Sequence, residues 1–339
     1  MGSPTVDFRP GPITLPQTLT ADPGTAGSTT LLLQVALPCL LFSPPEHRPP
    51  VEPEGAPDVP SSPAPVSELV LRGGTNAALA PQIDYVHTVF FPFLATHFGI
   101  KPTLTVERRG YYPKGGGSVR CTVPALAGPL PAVVLTTRGA VRAVGGSARV
   151  GGLPLWIAQR MMSGACRALV QAGIPPAKIS ITSARERDED VVGAGGGIVL
   201  WAETEHGCVI GGSAVSTREK KPEAVGGEAA EVLVRNLNHE GCVDEYLQDQ
   251  MIIFLALAKG TSVVRTGSLT DHTRYFGSLR HVSALTEMYD RTAIHVAQRM
   301  TEAQFHVDES ASNSTIITCK GIGFAPAGLN IESSSTLMP

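Results

Sequence analysis

The chain has 339 residues, which predicts about two domains, because one hydrophobic core rarely extends beyond roughly 250–300 residues. Hydrophobic residues make up 42% of the chain and charged residues 17%, as is typical of a folded globular protein. The net charge of −3 and the aromatic content of only 5% exclude a protein that coats nucleic acid through bulk positive charge or extended stacking surfaces.

The cysteines and the apolar stretches predict a soluble protein with reduced thiols. The six cysteines are scattered, with no C-x-x-C pair and no histidine at zinc-ligand spacing, so we expect no structural zinc site. The longest apolar stretches, 31–42 and 251–258, are too short to span a bilayer. Residues 1–15 lack the charged start and apolar run of a signal peptide.

The amino-terminal part predicts a strand, a helix and a long loop. Residues 8–19 alternate weakly and read as an edge strand and loop. Small and hydroxyl residues at 25–29 precede an apolar run at 31–37, which predicts the start of a helix. Residues 43–65 are rich in proline and poor in large apolar side chains, so we predict a disordered surface loop there.

A compact unit is predicted after this loop. Its elements are a strand at 68–72, a helix at 82–97, and strands at 103–108 and 118–123 around a glycine-rich turn at 110–117. Pro81 suits the first position of the helix, and Gly99 lies just beyond its end.

Between about 139 and 238 the sequence changes in character. The predicted elements are strands near 140–143, 178–182, 197–204 and 208–213, and helices near 153–172 and 228–236. We therefore predict a small α/β domain at 139–238, inserted into a larger domain formed by residues 1–138 and 239–339.

The last part of the chain predicts a helix with a polar face and a closing set of strands. The elements are a long helix at 243–259 that ends at Gly260, a strand at 261–266, an extra insertion at 275–290, a helix at 293–300, and strands at 303–307 and 314–319. Tyr246, Asp249 and Gln250 share one face of the long helix. A phenol, a carboxylate and an amide can together hold an adenosine or a metal-bound phosphate, although a solvated face is the common alternative.

His272 lies just after the strand predicted at 261–266, shortly beyond this polar face. Most histidines are structural, but an imidazole that is neutral near pH 7 is an available nucleophile. In the turn at 108–118, RRGYYPKGGGS, the glycines allow close approach of an anion, and Arg109 and Lys114 add positive charge. A hairpin turn with cationic flanks is the simpler interpretation, and the P-loop spacing is absent.

The sequence resembles the RNA 3'-terminal phosphate cyclase family, in wording closest to its eukaryotic branch. The similar blocks are TAGSTTLLLQVALPCLLF (25–42), RGGTNAALAPQIDY (72–85), RGYYPKGGGSV (109–119) and VDEYLQDQ (243–250). They occur in the family's order, and the resemblance extends from about residue 10 to 325.

The resemblance implies an α/β (α+β) fold in which βαβαββ units form a large domain that carries a smaller inserted α/β domain. It also implies an ATP-dependent ligase-class enzyme, with ATP and Mg²⁺ or Mn²⁺ as cofactors, that acts on RNA 3'-phosphate ends. These ends would become 2',3'-cyclic phosphates through a histidine–AMP intermediate. The expected location is the nucleus, with the cytoplasm as an additional candidate.

The resemblance assigns the catalytic role to His272. The positions around the nucleotide are Gln34, Pro81, Tyr246, Asp249 and Gln250, and the residues expected to bind RNA or phosphate are Arg109 and Lys114.

The chain departs from the family pattern in three places. The family's amino-terminal unit, with its E-G-G-G-Q block, has no counterpart, and residues 43–65 and 275–290 are additions. A non-catalytic, cyclase-like ribosome-biogenesis factor and a degenerate fragment without activity are the alternatives. The first alternative lacks the adenylylated histidine, so His272 favours the enzyme.

Overall fold

A computed structural model describes residues 15–43, 66–273 and 293–326, together with Asp7, Arg9 and Gly11. The loop predicted at 43–65, apart from Ser43, and the insertion predicted at 275–290 lie outside the described residues.

The first described unit has the order βαβαββ. Its elements are β1 (Thr18–Ala21), α1 (Thr29–Phe42), β2 (Val66–Gly73), a helix that runs through α2 (Ile83–Tyr85), a π-helical turn (Val86–Phe90) and α3 (Phe91–Phe98), then β3 (Thr103–Gly110) and β4 (Gly117–Pro124). In the sheet β1 runs parallel to β2, and both β2 and β3 run antiparallel to β4, which gives the order β1-β2-β4-β3. The helix ends where Gly99 adopts a left-handed conformation with φ of 70°, as its sequence position predicts.

A second unit begins with β5 (Val134–Leu135) and is interrupted by the insertion. The inserted elements are β6 (Val141–Gly151), α4 (Leu155–Gln171), β7 (Ile179–Arg185), β8 (Val191–Val192), β9 (Gly195–Thr204), β10 (Val209–Val215) and α5 (Pro222–Asn238). Four of these strands form a sheet of order β10-β9-β6-β7, while β8 pairs with β3 of the first unit. The inserted elements enclose a core of their own, which includes Leu169, Leu200 and Leu233.

The second unit then resumes. Its remaining elements are α6 (Glu245–Gln250), α7 (Ile252–Leu257), β11 (Lys259–Thr266), α8 (Ala293–Met300), β12 (Gln304–Asp308) and β13 (Thr315–Ile322). The sheet order β5-β11-β13-β12 and its strand directions repeat those of the first unit. The α/β fold is thus confirmed, and the described part of the large domain is a pair of βαβαββ units. The domain limits at 139 and 238 stay a prediction.

The prediction of one continuous helix at 243–259 is wrong. The helix is divided between Gln250 and Ile252, and it ends at Leu257. Lys259 instead begins β11, where its amide donates to the Leu130 carbonyl at 2.8 Å. Pairing of β11 with β13 along its whole length therefore overrides the helical preference of the sequence.

The described residues contain no helix that is long and apolar enough to cross a membrane. All six cysteines are described and are free thiols.

Candidate functional site

Helix α6 begins at a buried carboxylate that fixes its position. Asp244 Oδ1 accepts hydrogen bonds from the amides of Tyr246 and Leu247, both at 3.0 Å, and so caps the helix. The same atom accepts from the Tyr85 hydroxyl at 2.7 Å, and Oδ2 accepts from the Gly211 amide at 2.7 Å. Burial raises the pKa of Asp244 to about 6, although these hydrogen bonds oppose the increase. One carboxylate thereby joins α6 to α2 and to β10.

A buried amide joins α6 to the loop that leads to His272. Gln248 Nε2 donates to Thr266 Oγ1 at 2.6 Å and to the Ser268 carbonyl at 3.2 Å. Its Oε1 accepts from the Thr270 amide at 2.8 Å. Because the side chain of Gln248 is buried, these bonds are shielded from water and hold the loop against the helix.

His272 follows the loop that Gln248 holds against α6. Burial raises the pKa of Asp249 in that helix, and the charge of His272 opposes this increase. The His272 side chain is exposed, while its carbonyl accepts from the Ala293 amide at 2.9 Å. Gln250, at the end of the same helix, is buried.

Tyr246 lies in the wall of a cavity between the large domain and the inserted residues. The cavity has a volume of about 880 Å³, within the range of ligand sites. Other wall residues include Ala80 and Tyr111 of the first unit and Ser213 and Arg218 of the insertion. The Tyr111 hydroxyl is buried and has no hydrogen-bond partner among the described residues.

Helix α1, which contains Gln34, contacts Pro81 through Thr30. Thr30 Oγ1 donates to the Pro81 carbonyl at 2.8 Å, and Gln34 lies one turn further along the helix. Pro81 is buried and Gln34 is partly exposed. Ala80, next to Pro81 in the chain, lines the cavity beside Tyr246. The other residues predicted for the nucleotide and the catalytic histidine do not line it: Gln34, Pro81, Asp249, Gln250 and His272.

Arg109 is part of a buried ion cluster. It donates to both Asp84 carboxylate oxygens at 2.7 Å and to Glu186 at 2.8 Å, and Arg149 also donates to Glu186. Burial alone would raise the pKa of Asp84, but the hydrogen bonds and charge of Arg109 hold it below its ordinary value. Because its donors serve two carboxylates, this geometry favours a structural link between β3 and the insertion. The binding of RNA by Arg109 stays a prediction.

Lys114 is exposed at the tip of the turn between β3 and β4. It lines a second cavity of about 600 Å³ together with Arg72 and Arg108. Asp22 and Glu107 also line it, and Asp22 lies 3.8 Å from the Arg72 guanidinium, so Arg108 and Lys114 are the cations best placed to meet an anion.

The described residues contain no group of three or more His, Cys, Asp or Glu side chains that could hold a metal ion. Mg²⁺ usually keeps several waters and takes one or two carboxylates together with substrate phosphates. Asp249 of α6 is a carboxylate of the type that such a site uses.

Asp244, Gln248 and Tyr111 were not predicted as site residues. Asp244 precedes the helix at a position that favours capping, which was a usable sequence signal. Gln248 gave no such signal, because its burial depends on where β11 lies relative to α6.

The fold and the cavity beside Tyr246 define the class of protein. It is an α/β protein built from two βαβαββ units, in which the inserted residues border a ligand-sized cavity. The family model for RNA 3'-terminal phosphate cyclase matches residues 1–307. The chain therefore belongs to the RNA 3'-terminal phosphate cyclase family, which confirms the resemblance seen in its motifs.

Curated relatives agree with this assignment. A probable RNA 3'-terminal phosphate cyclase of Dictyostelium discoideum is 34% identical over 321 residues, covering 91% of this chain and 64% of the relative. The RNA 3'-terminal phosphate cyclase of Drosophila melanogaster is 34% identical, covering 95% of this chain and 78% of the relative. That of Pyrobaculum neutrophilum is 32% identical, covering 95% and 80%. The chain thus spans about two thirds to four fifths of the length of these relatives.

Proposed function

We propose that this chain, acting in the nucleus, converts RNA 3'-phosphate ends to 2',3'-cyclic phosphates with ATP, through a histidine–AMP intermediate on His272. Family membership supports the overall reaction. The observation that carries the choice of residue is that Gln248 fastens the loop before His272 to α6, the helix that also contains Tyr246 and Asp249.

The cavity beside Tyr246 supports a nucleotide site. Its volume of about 880 Å³ accommodates a nucleotide, and the phenol ring offers an apolar face to adenine. Gln34, Pro81 and Gln250 do not line this cavity, and their proposed contacts with the base and ribose rest on the family resemblance.

The residues present suit nucleophilic transfer of an adenylyl group. The exposed imidazole of His272 would attack the α-phosphorus of ATP, and pyrophosphate would leave. A divalent cation supplies positive charge at the phosphates when bound, and Asp249 would hold it. The AMP group then passes to the RNA 3'-phosphate. The neighbouring 2'-hydroxyl attacks that phosphorus and displaces AMP, at an effective concentration on the order of 10⁵ M or more.

ATP radiolabelled at its α-phosphate tests this proposal. With Mg²⁺, we expect an acid-labile label on the parent chain and none on His272→Ala. His87→Ala is the matched control, because His87 is also exposed but lies in the π-helical turn of the first unit, and it should be labelled like the parent. A parent chain without label would contradict the proposal and favour the non-catalytic alternative. Label that persists on His272→Ala would refute the residue assignment.

A further inference from the structure

The turn between β3 and β4 contains one buried and one exposed aromatic side chain. The turn is closed by a hydrogen bond from the Gly115 amide to the Tyr111 carbonyl at 2.9 Å, and Tyr111 in turn donates its amide to the Val192 carbonyl at 3.0 Å. Tyr111 is only 2% exposed, whereas its neighbour Tyr112 is 81% exposed. The first tyrosine anchors the turn, and the second projects from it.

The backbone of this turn is held in place by close packing. Gly115 has φ of 62°, and a Cβ atom there would lie 2.7 Å from both the Ala26 Cα and the Thr25 carbonyl oxygen. Only glycine fits this approach without strain. The Tyr112 ring is therefore carried by a turn that is fixed before any ligand binds, which lowers the entropy cost of stacking.

Tyr112 differs from the other exposed aromatic residues that the structure describes. Trp156 is 49% exposed, but the Arg160 guanidinium lies 4.9 Å from its ring centroid. Phe324 is 44% exposed and packs against Phe42 with ring centroids 5.5 Å apart. The ring of Tyr112 is the most open of the three and offers a free face for stacking.

The cationic cavity of about 600 Å³ lies on one side of this turn. The carboxylates of Asp22 and Glu107 also line it. Glu107 already accepts hydrogen bonds from Ser118 at 2.8 Å and from Arg120 at 2.7 Å. Arg108 and Lys114 are both exposed within this cavity. They are placed to meet the phosphates of a bound strand.

The larger cavity lies on the other side of the same turn. Tyr112 and Pro113 line it, together with Tyr246, while Lys114 and Gly116 line the cationic cavity. The turn therefore separates a cationic depression from the cavity in which we place the nucleotide. An aromatic ring next to cations is the arrangement with which proteins hold single-stranded nucleic acid.

We propose that this turn is the docking platform for the single-stranded RNA substrate. A base near the 3' end stacks on Tyr112, phosphates further toward the 5' end contact Arg108 and Lys114, and the 3' end enters the cavity beside Tyr246. The conversion of the RNA 3'-phosphate rests on the proposed function, but the binding of the RNA strand to this turn does not depend on the chemistry at His272.

Binding without ATP tests the platform on the full chain. The probe is a fluorescent, 3'-phosphorylated RNA of about ten nucleotides, within the site sizes of single-strand binders, followed by fluorescence anisotropy. We expect Tyr112→Ala to weaken binding about tenfold or more, and Tyr112→Phe to stay near the parent, because stacking needs the ring. Trp156→Ala is the control and should bind like the parent. Equal affinities for Tyr112→Ala and the parent would overturn the proposal.

Charge reversal tests the phosphate contacts. Arg108→Glu and Lys114→Glu should each weaken binding and flatten its salt dependence, by a slope of about 0.7 for each lost phosphate contact with a single strand. Lys101→Glu makes the same change in net charge near the other end of β3, about 23 Å away at 3.3 Å per residue. If Lys101→Glu weakens binding as much as Arg108→Glu, the effect is one of overall charge and the platform is refuted.

Cross-linking provides a measurement that does not depend on a variant. RNA that carries 4-thiouridine near its 3' end should cross-link to the tryptic peptide 110–114, which contains Tyr112. Cross-links confined to other peptides would contradict the proposal even if affinity fell in Tyr112→Ala. The binding and cross-linking assays are separate from the adenylylation assay. If the parent chain binds RNA but takes up no label from ATP, only the proposed function is refuted.

Discussion

Gln248 connects α6 to the loop before His272. Its side chain makes two hydrogen bonds to this loop and one to Thr266 at the end of β11, and it lies in the same helix as Tyr246 and Asp249. We assign it a positioning role, because it acts on the reacting imidazole through the backbone of the loop.

Gln248→Ala should lower both stability and adenylylation. The change leaves the Thr270 amide and the Ser268 carbonyl without their protein partner, which costs about 1–3 kcal/mol of unfolding free energy. Urea denaturation measures this loss, and the rate of labelling with ATP measures the displacement of His272. Gln159→Ala, at an exposed position of α4, should change neither. A labelling rate equal to that of the parent would contradict the positioning role.

Arg109 makes a second residue-level prediction, which concerns pH. Because Arg109 lowers the pKa of Asp84, the pair contributes stability above the ordinary carboxyl value of 3.8 and loses it as pH falls through the lower folded value. Arg109→Met removes both hydrogen bonds to Asp84 and one to Glu186 and leaves Arg149 as the remaining cation beside these carboxylates, so we expect a loss of about 1.5–3 kcal/mol at pH 7. The difference from the parent should narrow towards pH 3, because protonation removes the negative charge that Arg109 stabilises.

Urea denaturation at both pH values measures these differences. Arg187→Met, at an exposed ion pair, should cost less than about 1 kcal/mol. A loss for Arg109→Met that does not depend on pH would show that packing, and not charge, gives the cluster its stability.

At the scale of elements, the sequence predicts the ends of those helices and strands that are fixed by residues close to them in the chain. The end of the helix at Gly99 and the hairpin of β3 and β4 follow from glycine positions and alternation. The helix at 243–259 shows the opposite case, because its end depends on pairing with β13, a strand about sixty residues later in the chain. Sequence pattern cannot contain that information.

The candidate site divides in the same way. His272, Tyr246 and Asp249 follow from the family resemblance and from helix spacing, and their roles stay predictions. Arg109 was assigned to RNA or phosphate from its charge, and only the fold shows that partly buried carboxylates contact it. In each βαβαββ unit, the loop after the second strand carries a residue predicted for the site: Pro81 after β2 and His272 after β11.

At the scale of the whole molecule, two buried cores account for the organisation of the chain. The core of the insertion, with Leu233, is a separate cluster from the core of the large domain, with Leu255. Elements with separate cores are expected to open as separate cooperative units.

Leu233→Ala tests this organisation. The cavity left by the substitution should cost about 2–5 kcal/mol, and faster amide hydrogen exchange should be concentrated within residues 139–238. Leu255→Ala should instead speed exchange in the large domain. Hydrogen exchange followed by mass spectrometry distinguishes the two patterns. Equal acceleration throughout the chain in both variants would show a single cooperative unit and contradict the predicted domain division.

The pairing of β5 with β11 has a mechanical consequence. These strands flank the insertion in the chain, yet they lie side by side, with Val134 opposite Val263 and Leu135 opposite Val264. Tension along the backbone would pass across this strand pair and bypass the loop of chain between them. A pulling force would reach the inserted residues only after the two strands separate. Pairing of β5 with β11 therefore protects the insertion from mechanical unfolding.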